Sequence, residues 1–207
     1  FLLYNFYNKK RIINNHQEDL FLIFFISILS LVMYYTLNNT SISEVLINII
    51  SSISNSGLSF SKSADGSILF IFLCVIGGSL ISNSSGIKLL RIYILLKTAT
   101  AEIIKLVRPN NVFNNTIFYS GKRIDNQIIN LSFLIFISFF ISVFILSSVL
   151  ALDDINFENS FKLSILTLTN TTNSSLYGMS DINFTNLLDS TKLFLIIFMI
   201  IGKIELI

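Results

Sequence analysis

The sequence predicts an all-α integral membrane protein in which one helical unit occurs twice, and three observations support this. The 207 residues are 53% hydrophobic and 13% charged, whereas soluble domains carry about 25% charged residues; mean hydropathy is +0.74. Apolar stretches long enough to cross a bilayer, which takes about 20 residues, alternate with apolar stretches that are too short. Finally, the order long stretch, short stretch, Ser/Asn-rich segment, long stretch occurs twice, and such a repeat is hard to ascribe to composition.

Residues 1–19 carry Lys9, Lys10 and Arg11 without a small-residue cleavage site, so they read as a cytoplasmic segment rather than a signal peptide. The first unit, 20–106, opens with the crossing Leu20 to Leu37, "LFLIFFISILSLVMYYTL". A short apolar stretch follows, "SISEVLINIISSIS", and then "NSGLSF". Ile68 to Gly78 is too short to cross alone; it continues through "SLISNSSG" into "IKLLRIYILLK", a helix interrupted by small polar residues. Pro109, the only proline, should end the helix through "AEIIKLVR" and opens the linker 107–126. The second unit, 127–207, has the crossing Ile128 to Leu152, the short stretch "FENSFKLSILTLTN" (157–170), "TTNSSLYG", and a last crossing from Leu193 to Ile207. The chain begins without Met and stops inside an apolar run, as a piece of a longer protein would.

Charge sets an expected orientation. Lys9, Lys10 and Arg11 lie before the first crossing, and Lys88, Arg91, Lys97, Lys105, Arg108, Lys122 and Arg123 lie between 88 and 126. Segment 38–67 holds only Lys62, and 151–189 only Lys162 among several carboxylates. The excess of Lys and Arg puts the N-terminus and the middle segment in the cytoplasm, with the Ser/Asn-rich loops outside.

A non-helical backbone at membrane depth must be buried in protein or line a water-filled cavity. A short helix that enters from outside and turns back meets that condition as a re-entrant loop. Its C-terminal end carries about half a negative charge, which favours a cation, and the carbonyls beyond it can replace an ion's hydration shell. Gly57 permits the backbone angles such a loop needs. The competing reading is a polar extracellular turn between ordinary helices.

The segments "IGGSLISNSSGIKLLRIYILLK" (76–97), "IKLVRPNNV" (104–112) and "MIIGKIELI" (199–207) resemble the Trk/Ktr/HKT potassium-uptake superfamily, especially its bacterial TrkH type. The resemblance covers nearly the whole chain. It implies two helix–pore-loop–helix repeats, the third and fourth of a four-repeat, potassium-channel-like pore. Asn55, Ser56, Gly57 and Leu58 would then supply carbonyls to a selectivity filter, as would Thr171, Thr172, Asn173 and Ser174. Asn173 stands where the family usually has Gly, which leaves K⁺ over Na⁺ selectivity open; Asn tolerates positive φ better than other non-glycine residues. The family's gate, an intramembrane loop breaking the third inner helix, would be Gly77, Gly78, Ser79, Leu80, Ile81, Ser82, Asn83, Ser84, Ser85 and Gly86. Lys203 falls where the family commonly has an arginine near the pore axis, although a lysine can also mark the cytoplasmic end of a helix.

No cofactor is implied beyond the transported K⁺ or Na⁺. The expected partners are membrane lipid, the remaining half of the transporter, a second copy in a homodimer, and a cytosolic nucleotide-binding regulatory subunit docked on the basic side; nucleic acid is not among them. The expected location is the bacterial inner (plasma) membrane. Cys74 is the only cysteine, so no intrachain disulfide can form. The chain contains no His/Cys cluster, phosphate-binding glycine motif or carboxylate pair within a crossing, and it does not read as an enzyme. Two alternatives remain: a non-conducting membrane subunit with a degenerate filter, and a secondary transporter with discontinuous helices.

Overall fold

The computed structural model describes residues 17–36, 41–58, 66–80, 82–107, 124–153, 155–171, 176–179 and 187–203. These form seven helices: α1 (Gln17–Thr36), α2 (Ile42–Ser54), α3 (Ser67–Ile76), α4 (Leu89–Val107), α5 (Asn126–Ala151), α6 (Phe157–Leu168) and α7 (Asp189–Lys203). The described residues include no strand.

Each helix reflects its local sequence. Ser41 caps α2, its hydroxyl accepting a 3.3 Å hydrogen bond from the Glu44 amide, with Glu44 three residues on as in a capping box. Glu158 and Lys162, one turn apart on α6, pair at 2.5 Å. The long helices are rich in serine, and each hydroxyl returns to a carbonyl three or four residues back. Ser30 donates to Ser27, Ser132 to Ile128 and Ser148 to Phe144. That local bond allows a hydroxyl to sit in an apolar surrounding.

The two units share one packing scheme. In the first, α2 packs against both α1 and α3; in the second, α6 packs against both α5 and α7. The units join where α3 meets α6 and α4 meets α5. The core lies where the short helices end: Ser51, Ser52 and Ile53 of α2 are buried, as is every residue from Leu163 to Thr169. A helix end buried on all sides must be enclosed by protein.

The long helices are different. Only 11% of the most apolar window of α1 is buried inside the fold, and 22% of that of α5. Phe24, Leu31, Phe133 and Ile141 point outward. A core helix of a soluble protein would be covered, and water would not tolerate so wide an apolar face. Both helices are long and apolar enough to cross a membrane.

Candidate functional site

The short helices end in the same turn. Asn55, in the left-handed region at φ 55°, ψ 36°, caps α2; its amide donates to the Ser52 carbonyl at 3.3 Å and the next amide, Ser56, donates to Ser51 at 3.1 Å. Asn170 follows α6 at φ 57°; its amide donates to Thr167 at 3.1 Å, and the Thr171 amide donates to Leu166 at 2.9 Å. Both are Schellman turns, which satisfy orphan carbonyls and reverse the chain sharply. Gly57, three residues past the end of α2, is also left-handed at φ 71°.

Both turns face the break between α3 and α4. Gly77 and Gly86, at φ 67° and 100°, allow the backbone to double back on itself. A Cβ on Gly77 would lie 2.5 Å from the Ser85 carbonyl oxygen, and one on Gly86 would lie 2.9 Å from those of Cys74 and Val75. Only glycine fits there. The Ile87 amide donates to Val75 at 3.0 Å and that of Leu89 to Gly78 at 3.2 Å, folding the break back onto α3. Within the loop, the Ser84 hydroxyl accepts from the Gly78 amide at 2.9 Å, and Ser82 Oγ donates to the Ser79 carbonyl at 2.6 Å. Some of the backbone groups freed by the break are thus satisfied within the loop itself.

The two asparagine side chains meet at this loop. Asn55 Nδ2 donates to the Ser85 carbonyl at 2.6 Å, and Asn170 Nδ2 to the Ser85 hydroxyl at 3.3 Å. Asn170 Nδ2 also reaches the Met199 carbonyl of α7 at 3.1 Å. Lys203 Nζ, one turn further along, donates to the Asn83 carbonyl at 3.3 Å. A Cβ on the neighbouring Gly202 would collide with the Leu168 carbonyl at the end of α6. Lys203 therefore lies beside the break, at the level where the short helix ends.

Behind the turns lies a buried polar cluster. Cys74 Sγ donates to the Tyr177 hydroxyl at 3.2 Å, and the side chains of Thr171 and Ser52 lie beside them. Thr171 Oγ1 is also 2.8 Å from Thr169 Oγ1. The cluster joins α2, α3 and the turn after α6. No group of His, Cys, Asp and Glu among the described residues could hold a metal ion.

Two charged residues here escaped the reading of the sequence. Lys88 counted there as part of a basic cytoplasmic stretch, but it is fully buried, left-handed at φ 74°, and donates from Nζ to the Ser82 carbonyl at 2.5 Å. Arg91 is buried as well. Both are corrections: the surface basic charge of the middle segment begins later along α4. Glu18, at the start of α1, accepts from the Leu80 amide at 2.9 Å and lies close enough to Lys88 to feel its charge. The clue for Lys88 was its position directly after the break and within an apolar run, since an ionisable group in such a place is a functional candidate by default.

Residues 61–207 match the family described as "TrkH: Cation transport protein". The chain belongs to this family. The TrkH fold is evident in three dimensions too: the crystal structure of the potassium transporter TrkH from Vibrio parahaemolyticus is similar, with a TM-score of 0.76 at 20% identity over 90% of this chain. The chain spans 41% of the length of that transporter. No curated protein matches it.

Within the TrkH framework the turns also set a register. Asn170 occupies the place of Asn55, and Thr171 that of Ser56. Thr172, Asn173, Ser174 and Ile81 lie outside the described residues, as does Pro109.

Proposed function

We propose that this chain forms two units of a K⁺-conducting pore, the third and fourth of four. Backbone carbonyls of Asn55 to Leu58 and of Thr171 to Ser174 line its filter, and the loop 77–86 with Lys203 forms its gate. The observation that carries the reading is the convergence of two identical short-helix ends on one residue, Ser85, in the break of the inner helix. The negative end of each short helix favours a cation beside it, and the small-residue break lies where it can obstruct the path. Family membership supports cation transport, and the printed name of the Vibrio protein supports potassium in particular.

The remaining units come from the rest of the transporter, the assembly is a homodimer in the plasma membrane, and a cytosolic regulatory subunit docks on the basic face beyond α4. Selectivity between K⁺ and Na⁺ is set partly by the fourth strand, where Thr172 and Asn173 replace glycine-rich chain. The test is ion flux in proteoliposomes containing the complete transporter. K⁺ flux exceeding Na⁺ flux supports the reading; absence of any monovalent-cation flux overturns it.

A further inference from the structure

We propose that Asn55 and Asn170 are positioning residues that couple the filter turns to the gate loop, with Ser85 as their common point of contact. The inference rests on the proposed roles of the two turns and of residues 77–86. A left-handed helix end is most readily made by glycine, with asparagine the usual substitute. This chain uses asparagine at both ends, and what asparagine adds is a side-chain amide. Both amides are spent on one residue: that of Asn55 on the Ser85 carbonyl at 2.6 Å, that of Asn170 on the Ser85 hydroxyl at 3.3 Å.

The geometry gives the contact a mechanical meaning. Asn55 is part of the turn that precedes Gly57, so a cation-dependent change in that backbone moves the amide, and with it Ser85. Asn170 holds the loop and the Met199 carbonyl of α7 at once, one turn from Lys203, which grips the Asn83 carbonyl. Swinging the loop away from the turns must break the bonds at Ser85. Removing them frees the loop without disturbing the caps.

Asn55→Gly and Asn170→Gly provide the test, because glycine keeps the left-handed turn and deletes only the amide. The reporter is the exposed Asn83, changed to cysteine in the complete transporter, and its rate of modification by a water-soluble maleimide; the buried Cys74 serves as background. Each substitution is expected to raise the rate about threefold, the typical worth of an interhelical hydrogen bond in a membrane protein. Ser85→Ala should give part of the Asn170→Gly effect, which also loses the Met199 bond, and the double substitution should equal Asn170→Gly alone. Asn55→Gly, which uses the carbonyl, should add to Ser85→Ala. An unchanged rate, or simple multiplication of the Asn170→Gly and Ser85→Ala effects, overturns the coupling. Flux through the unsubstituted transporter is read separately, so failure of the coupling is distinguishable from failure of the conducting role.

Discussion

Lys88 shows how far one side chain can depart from its appearance in the sequence. It sits at the end of the break with a left-handed backbone, and its ammonium is inside the protein against the Ser82 carbonyl. A charge removed from water persists only with partners, and Ser82 together with the nearby Glu18 carboxylate provides them. Glu18 in turn holds the Leu80 amide, so the loop is pinned from two sides. Lys88→Met should leave that carbonyl unsatisfied and destabilise the fold by about 1–3 kcal/mol. Thermal unfolding in detergent measures it; an unchanged melting temperature would mean that Lys88 does not hold the loop.

At the scale of helices, much could be read in advance. The short helices, expected in "SISEVLINIISSIS" and "FENSFKLSILTLTN", occur as Ile42–Ser54 and Phe157–Leu168, because an apolar run of that length bounded by serine, asparagine and glycine has few other solutions. The break after Ile76 was legible for a similar reason: adjacent glycines followed by serines cannot sustain a helix. The bonds joining these elements were not legible. Asn55 to Ser85 and Asn170 to Ser85 depend on how two distant segments are brought together, and periodicity carries no trace of that. Asp153 is another such case. Lying just beyond α5, it accepts the Thr191 hydroxyl at 2.7 Å and the Leu188 amide at 3.3 Å, thereby holding the start of α7 from the turn that follows α5. Asp153→Ala should cost about 1 kcal/mol, detectable as a lower unfolding midpoint. Equal midpoints would show that α7 is fixed by packing alone.

For the molecule as a whole, apolar side chains cover the outside of the long helices as well as filling the core, and polar groups gather at one place inside. Hydroxyls, amides and a buried lysine gather where the short helices end, while α1 and α5 present phenylalanine, leucine and isoleucine outward. Ile141, near the middle of α5, tests this directly. On a water-exposed surface Ile141→Arg would be harmless, but facing lipid it should cost about 3 kcal/mol of insertion free energy. Insertion efficiency in microsomes distinguishes the two. The proposed filter requires that carbonyls beyond the two asparagine turns hold a dehydrated monovalent cation above the break in the inner helix. The most direct measurement is anomalous diffraction from crystals of the complete transporter soaked in Tl⁺, a heavy substitute for K⁺. A conducting pore gives a peak on a shared axis, within coordination distance of the carbonyls of Ser56 and Gly57; no peak there, with Gly57 facing bulk solvent, would contradict the proposed filter.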